Sequence, residues 1–492
     1  MPSIRTTTGL TWPAASRPAD YLRAGGFAVA ILVLEVVLAR GAAAPQLSKF
    51  VLLFLAVIAA ALVLRFPLAT ALGLLALTDF IFFPSFFALP VGPLEVRPHE
   101  LALAALLTVA VVTPRRRSWG GAAGASLAAF LGIVVASAAL ALWNGEASAS
   151  DVYSWGRPLA LLTFFYVVVR LFPDPGQRRQ LLAGAGVLAA LTGVVALMIS
   201  LGAGFSDSLQ EAGGSAVRAQ EGDSVNRVRL AGLSAGYGLF WYAVVQLFAR
   251  RSGSRLAWAA ILLGISVDII VSFKRNMWLG VEIGFLLTAF VGGTIVRTRL
   301  ATGLAVVIAG IGLLVVFGSS STSNRVVSPV VSRGATIFEP EEVTREASFR
   351  DRVEETEAAW KTARENLLLG VGVGAPFGLL VVHQIGPHSF ELTPQLFLHN
   401  QYLYLLLIAG IPGLLAFVAF LGIPLVQSFR RRPRDPAIAA CGVGIALIMI
   451  SAVVAIYFAV EDMTAILGLL AGVLVADAEG AGARGERSGL LE

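Results

Sequence analysis

The stretch Leu396–Leu415, LFLHNQYLYLLLIAGIPGLL, contains the transition that decides the fold. A long polar segment ends there and an apolar helix begins, with His399 at the boundary. The apolar block 399–429 is longer than the roughly 20 residues of one crossing, and Gly410-Ile-Pro-Gly413 interrupts it. The pattern predicts a half-helix that enters the membrane, breaks and continues as a full crossing. A His at this boundary can exchange protons beside a lipid-linked substrate, although a helix-capping role is the simpler interpretation.

The composition is that of a polytopic membrane protein. Of the 492 residues, 57% are hydrophobic and 14% are charged, a balance atypical of soluble domains. The apolar blocks lack the two-residue alternation of β-barrel strands. Cys441 is the single cysteine, so no disulfide can form within the chain. The net charge of +6 comes from short basic clusters between apolar blocks, which favours a topology signal over nucleic-acid binding.

The apolar blocks predict an all-α, polytopic transmembrane helical bundle with about 12–14 crossings. Their predicted spans are 25–42, 48–65, 67–84, 98–114, 121–143, 154–172, 179–201, 229–249, 256–272, 276–294, 299–317, 399–429, 436–457 and 463–478. Residues 1–24 lack a signal cleavage site, so we expect them to remain as a cytoplasmic tail.

The arginine distribution predicts the orientation of the bundle. Clusters at 115–117, 178–179, 250–255, 297–299 and 430–434 fall on one side when the spans are threaded alternately through the membrane. Because cytoplasmic loops are enriched in Lys and Arg, that side is predicted to be the cytoplasm. Both termini would then lie in the cytoplasm, consistent with an even number of crossings.

Two long segments, 202–228 and 318–398, are predicted to face outward. The second divides the chain into an N-terminal bundle (1–317), an external loop domain (318–398) and C-terminal helices (399–492). Within this loop, residues 339–366 predict an amphipathic helix. The glycine-rich turn 370–374 follows it, without the lysine of a nucleotide-binding loop. A long loop with helical content inside a compact protein is usually functional.

Several cations depart from the positive-inside pattern and are predicted to gather at the outer face near His399. Such a cluster suits an anion, and a phosphate or pyrophosphate on a lipid is the expected one at a membrane surface. The alternative is that each cation pairs with a neighbouring carboxylate or a lipid headgroup. The cations are Arg157, Arg227, Arg229, Lys274, Arg275, Arg350 and Arg352.

Asp268 and Glu282 lie at apparent membrane depth on either side of Arg275. A structural salt bridge is the simpler interpretation, and a proton-coupled transport relay is the alternative. Glu461-Asp462 is a weak candidate for an acidic pair that binds metal and sugar phosphate. His383 and His388 have no acidic or thiol partners, so we expect no metal site there.

The sequence resembles the O-antigen ligase and O-antigen polymerase superfamily over roughly residues 229 to 429. His399-Asn400 is followed by nine residues and then Gly410 and Gly413, which is the family's spacing. Asn366-Leu-Leu-Leu-Gly-Val-Gly372, Ser272-Phe-Lys-Arg-Asn-Met-Trp278 and Arg229-Leu-Ala-Gly232 resemble its other motifs, and Arg352 resembles the arginine of its loop helix. The family's proline before the glycine turn is replaced by Leu367.

The resemblance implies a glycosyltransferase-C-like bundle that transfers a glycan from an undecaprenyl-pyrophosphate carrier to a glycan or lipid A core acceptor. It implies no metal, nucleotide or other cofactor, and membrane lipids and no nucleic acid as partners. His399 would be the catalytic base. Asn400 would orient the ring or the acceptor, and Arg275, Arg352, Arg350, Arg229, Arg157 and Lys274 would bind pyrophosphate or glycan. The sequence does not distinguish a ligase from a polymerase. A glycan flippase or a proton-coupled transporter is the alternative class of protein.

Overall fold

The computed structural model describes residues 63, 65–80, 89–91, 94–113, 118–200, 233–249, 255–272, 275–291, 298, 301, 347–386, 389–431, 435–458 and 460–489. Among the sequence predictions, span 25–42, nearly all of spans 48–65 and 299–317, and the segment 202–228 lie outside these residues.

The described chain is all-α apart from two short hairpins. Its helices are α1 (Pro67–Leu75, followed by a π-helical turn, Ala76–Phe80), α2 (Pro98–Val112), α3 (Gly121–Trp143), α4 (Ala149–Ala160), α5 (Phe164–Leu171), α6 (Pro175–Ser200), α7 (Leu233–Ala249), α8 (Arg255–Val271), α9 (Arg275–Val291), α10 (Ala347–Glu365), α11 (Gln401–Arg431), α12 (Pro436–Ser451) and α13 (Glu461–Gly489). The antiparallel hairpins are β1 (Leu89–Val91) with β2 (Leu94–Val96) and β3 (Leu380–Gly386) with β4 (Ser389–Pro394).

Five stretches of the described residues are long and apolar enough to cross a membrane. They are Gly121–Trp143, Ala149–Leu171, Pro175–Met198, Gln401–Arg430 and Glu461–Gly480. The second joins α4 and α5 through a 3₁₀ turn at Leu161–Thr163, just after Pro158. A proline inside a helix removes one backbone hydrogen bond, which accounts for the irregular turn. The polytopic all-α architecture predicted from the sequence is confirmed.

Helix α11 breaks where the sequence predicts. Gly410 has φ 64° and ψ −172° inside an otherwise helical run, a combination that is essentially restricted to glycine. The part of α11 before this residue, Gln401–Ala409, is the predicted half-helix, and its side chains are almost all buried. The interruption at Gly410 therefore separates a short internal helix from a long crossing.

The structure corrects two predicted boundaries and adds two hairpins that were not predicted. The predicted span 436–457 ends early, since α12 stops at Ser451 and residues 452–458 form an irregular segment. The predicted span 463–478 begins two residues earlier, at Glu461. Hairpins β1–β2 and β3–β4 were not predicted, because the external segments that contain them were interpreted only as loops.

Packing brings distant segments together around α11, α12 and α13. Helix α11 packs along α3, α12 packs on α7 and α9, and α13 packs on α5 and α12. The loop helix α10 packs on α11. Short connections join α11 to α12 and α12 to α13, so consecutive helices run in opposite directions. The beginning of α11 therefore lies next to the irregular segment between α12 and α13.

Candidate active site

The glycine-rich turn after α10 is docked into the break in α11. The amide of Val371 donates to the carbonyl of Leu407 at 2.7 Å, and the amide of Ile411 donates to the carbonyl of Leu367 at 2.8 Å. A break in a helix leaves backbone groups without their usual partners. The loop supplies those partners, so the loop and the helix are joined by backbone hydrogen bonds.

Three glycines of this turn have positive φ, and each one abuts a different helix. A Cβ on Gly370 would lie 2.2 Å from the Leu407 carbonyl oxygen of α11. A Cβ on Gly372 would lie 2.7 Å from the Ser137 carbonyl oxygen of α3, and one on Gly374 would lie 2.8 Å from the backbone of α4. Glycine is required both for the backbone conformation and for this close approach. The glycine-rich turn therefore packs closely against α3, α4 and α11.

Helix α10 and the half-helix of α11 run side by side in the same direction. Glu355 hydrogen-bonds to His399, 44 residues later in the chain, and Leu367 and Ile411 are bonded with the same separation. Both segments have the helical rise of about 1.5 Å per residue. The docked glycine turn at one end therefore sets which residue of α10 meets His399 at the other.

Glu355 and His399 form a hydrogen-bonded pair. The His399 Nδ1 lies 2.8 Å from Glu355 Oε2, and the backbone amide of His399 donates to Oε1 at 3.0 Å. Gln395 Nε2 also donates to Oε1, at 2.7 Å. The Glu355 side chain is only 4% exposed, whereas that of His399 is 34% exposed. A carboxylate can only accept hydrogen bonds, so Nδ1 carries the hydrogen and Nε2 is left as an acceptor.

An aromatic pair lies beside this imidazole. The ring of Phe397 is 5.9 Å from the ring of His399 in an edge-to-face arrangement. On its other side, Phe397 stacks with Trp155 of α4 at 5.8 Å. Phe397 and Trp155 are both partly exposed. The imidazole is thus held by a carboxylate on one side and bordered by apolar rings on the other.

Gln401 ties the His399 segment to the segment between α12 and α13. Its backbone amide donates to the carbonyl of Ala452 at 2.9 Å. Its side-chain Oε1 accepts from the amide of Phe458 at 2.9 Å, and its Nε2 donates to the carbonyl of Leu398. The side chain is fully buried. A buried amide with all these partners fixes the position of the residues just before it.

The same segment reaches the beginning of α9. Asn276 Nδ2 donates to the Tyr457 hydroxyl at 3.0 Å, and Tyr457 stacks with Tyr237 of α7 at 6.2 Å. Asn276 directly follows Arg275, the first residue of α9. Residues 452–458 therefore connect the end of the bundle that holds Arg275 with the end that holds His399.

The structure describes only some of the other predicted site residues. Arg352 is exposed on α10, one turn from Glu355, and its Nη1 donates to the Val454 carbonyl at 3.4 Å. The Asn400 side chain accepts from the amide of Leu403 at 3.1 Å and so caps α11. Arg229 and Lys274, and the side chains of Arg275 and Arg350, lie outside what the structure describes. Their predicted roles stay predictions.

Arg157 belongs to a buried ionic cluster. Its Nε lies 2.8 Å from Glu100 Oε1, its Nη2 donates to the Glu95 carbonyl at 2.8 Å, and its Nη1 lies 3.7 Å from Glu461 Oε1. Glu461 also pairs with Arg97 at 2.8 Å and lies 3.1 Å from His99 Nε2. These contacts match the alternative of pairing with neighbouring carboxylates. They join α2, α4 and α13 at one end of the bundle.

The acids of the two alternatives lie in different environments. Asp268 is fully buried, with Gly236 close to its carboxylate, whereas Glu282 is exposed on α9. Of the adjacent acids, Glu461 faces the ionic cluster and Asp462 accepts from the amide of Ala235 at 3.1 Å. Within the described ranges, no group of three or more His, Cys, Asp or Glu residues could hold a metal ion. The contacts of Glu461 and Asp462 join α13 to other helices of the bundle.

Sequence reasoning missed Glu355, Gln395 and Gln401. A signal for Glu355 exists, because it shares a helical stripe with Ala359 and Ala363, both fully buried. A carboxylate on an apolar stripe requires a specific partner. Gln395 and Gln401 flank His399 and are buried at 6% and 0% exposure, which nothing in their local sequence indicates.

One region of the chain matches a known protein family. Residues 238–418 match the family model described as O-Antigen ligase. The match covers α7 to α9, the loop helix α10 and most of α11, including Glu355, His399 and Gly410. No curated protein matches the chain.

Proposed function

Because its residues 238–418 make the chain a member of the O-antigen ligase-like family, we propose that it transfers a glycan from an undecaprenyl-pyrophosphate carrier to an acceptor hydroxyl. The family is one of membrane enzymes of the O-antigen ligase and polymerase type. The observation that carries the finer proposal is the pair of Glu355 and His399 inside the matched region. We further propose that the reaction takes place at the outer face of the inner membrane.

His399 acts as the general base in this proposal. Nε2 accepts the proton of the acceptor hydroxyl while its oxygen forms a bond to the anomeric carbon of the donor sugar. The bond from that carbon to the pyrophosphate oxygen breaks, and the carrier pyrophosphate leaves with the electron pair. Attack opposite the leaving group inverts the anomeric centre. A positioned general base contributes about 10²–10⁴ to the rate.

Glu355 prepares the imidazole for this step. The carboxylate holds the hydrogen on Nδ1 and so keeps Nε2 free to accept a proton. Once the ring is protonated, the same carboxylate stabilises the imidazolium by a charge-assisted hydrogen bond. Burial of Glu355 strengthens that interaction because water does not screen it. Glu355 is therefore a positioning residue that acts through His399.

Cations bind the pyrophosphate in this proposal. Arg275 begins α9 beside Asn276, whose contact with Tyr457 directs this end of the helix towards the residues that hold Gln401. Arg352 is exposed within one helical turn of Glu355. A guanidinium can donate two parallel hydrogen bonds to phosphate oxygens, and it stabilises the negative charge that grows as the bond breaks. No metal is required in this scheme.

The acceptor sugar is bound against the aromatic pair. The partly exposed ring of Phe397 lies beside the imidazole and stacks with that of Trp155, and an aromatic face beside a base suits the apolar face of a pyranose ring. Ligase and polymerase share this chemistry and differ in the acceptor. Gene deletion distinguishes them, because loss of a ligase accumulates carrier-linked polymer and loss of a polymerase accumulates single carrier-linked repeats.

The test of the base is transfer from purified carrier-linked glycan in the presence of a chelator. We expect His399→Ala and His399→Gln to lower transfer at least about a hundredfold while the protein still inserts and binds the donor. His383→Ala is the matched control, because His383 lies in hairpin β3–β4 away from the motif, and we expect a mild effect. Near-normal transfer by His399→Ala, or failure caused only by lost donor binding, would contradict the assignment.

A further inference from the structure

The turn between α10 and its glycine-rich segment exposes three consecutive leucines. Leu367, Leu368 and Leu369 are 37%, 80% and 41% exposed. Runs of exposed large apolar residues are unusual on a surface that faces water. We propose that this leucine turn, Leu367–Leu369, is a membrane anchor inserted into the hydrocarbon of the leaflet at which α11 begins. Its partner is therefore the lipid bilayer.

Helix α11 gives a first measure of the depth of the turn. The carbonyl of Leu367 accepts from the amide of Ile411, and the backbone of Leu368 lies against Gly410. Gly410 is nine residues into α11, which begins at Gln401. At 1.5 Å per residue, the leucine turn lies about 14 Å along the helix from its beginning. Since α11 continues as a membrane-crossing helix, that direction leads into the bilayer.

Helix α3 gives a second, independent measure. It is long and apolar enough to span the membrane from Gly121 to Trp143, and Gly372 packs against the Ser137 carbonyl and the Ala141 side chain. Ser137 is six residues before the end of α3, or about 9 Å along it. The beginning of α11 and the end of α3 thus both lie farther out than the turn. Two membrane-crossing helices place the leucines at acyl-chain depth.

The residues just before the leucines suit the headgroup layer. Trp360, Lys361 and Arg364 are exposed on the last two turns of α10. Tryptophan is enriched at membrane interfaces, and long cationic side chains reach towards headgroups from that level. Because α10 runs towards the membrane alongside the half-helix, aromatic and cationic groups come first and leucines follow. This order is the one expected at a lipid surface.

The experiment measures the depth of a fluorescent label attached to single cysteines in the full-length protein. The chain's single native cysteine, Cys441, is buried, so unsubstituted protein reports the background labelling. The test variant is Leu368→Cys. Glu354→Cys, exposed on α10, is the water-facing control, and Leu415→Cys, 62% exposed on α11 beyond the break, is the lipid-facing control. Quenching is compared for aqueous iodide and for phospholipids with nitroxide groups on their acyl chains.

We expect the label at Leu368 to be quenched by the nitroxide lipids to within about twofold of the label at Leu415, and weakly by iodide. Iodide quenching equal to that at Glu354 would overturn the proposal, because the turn would then face water. Protection from both quenchers would also overturn it, because protein would then cover the leucines. Leu368 is so exposed that its replacement leaves the packed core unchanged, and a second variant, Leu369→Cys, repeats the measurement independently.

Discussion

Replacing Glu355 by glutamine tests whether the carboxylate sets the tautomer of His399. The native oxygens receive three donors: the His399 amide and Gln395 at Oε1, and His399 Nδ1 at Oε2. A glutamine has the same shape but offers one oxygen and one NH₂ group. If its oxygen keeps the two donors at the Oε1 position, the NH₂ faces Nδ1. The imidazole must then carry its hydrogen on Nε2, where it can no longer accept a proton.

The reverse orientation of the amide restores the tautomer at a calculable cost. The NH₂ group would then face both the His399 amide and Gln395 Nε2, and two hydrogen bonds worth about 1 kcal/mol each would be lost. In either orientation the imidazolium loses the negative charge of its partner, and this loss of the ionic interaction costs about 1.5–3 kcal/mol. Together these terms amount to about 3.5–5 kcal/mol. We therefore expect the turnover rate of Glu355→Gln to fall by about 10²–10⁴.

The assay is single-turnover transfer from carrier-linked glycan, with donor binding measured separately. Glu357→Gln is the matched control, because Glu357 is exposed on the same helix, and we expect the wild-type rate. Unchanged donor affinity with a reduced rate is the signature of a positioning role. A Glu355→Gln rate within about fivefold of wild type would refute this account of the dyad, since the worked cost predicts a far larger loss.

Three further changes probe other parts of the structure. Arg275→Ala should abolish turnover and Arg275→Lys should retain part of it, because lysine cannot form two parallel hydrogen bonds to pyrophosphate. Assays of glycan transfer and of donor binding measure both variants. Near-normal turnover of Arg275→Ala would exclude a role of Arg275 in binding pyrophosphate. Gly410→Ala should lower stability by at least about 2 kcal/mol, because the backbone conformation there is specific to glycine and the new Cβ would lie 2.4 Å from the Leu368 carbonyl oxygen. Thermal unfolding measures the loss. Gly422→Ala is the control and should be neutral, because Gly422 has open space around it. Glu461→Gln should lower stability by about 3 kcal/mol, because it removes the buried carboxylate that Arg97 and His99 contact. An unchanged melting temperature would argue against a structural role of the ionic cluster.

The sequence allowed the architecture and the proposed base to be predicted for clear physical reasons. Membrane crossings follow from the length of apolar blocks, and the break at Gly410 follows from the conformation that only glycine adopts readily. His399 was identifiable because it stands in a motif at the boundary of polar and apolar segments. Its partner Glu355 was not, because 44 residues separate the two and α10 carries several other acids. Only the docking of the glycine turn makes that pair adjacent.

Arg157 illustrates a different limit. Its departure from the positive-inside pattern correctly indicated an unusual environment, and a ligand and a buried carboxylate both explain such a departure. The carboxylates in contact with it, Glu100 and Glu461, come from α2 and α13. Pattern reasoning cannot pair groups so far apart in the chain. The same limit applied to Gln401, whose partner Phe458 belongs to the segment between two other helices.

The parallel course of α10 and the half-helix of α11 constrains how this protein can evolve. Both segments are fastened at each end, by Glu355 to His399 and by Leu367 to Ile411. An insertion or deletion of one residue between those fastenings would rotate one helix by about 100° relative to the other, carrying the carboxylate away from the imidazole. Length changes inside this stretch are therefore expected to separate Glu355 from His399 and to abolish the proposed transfer, unless both helices change together. Variation in loop length among homologues should instead collect outside 355–367 and 399–411.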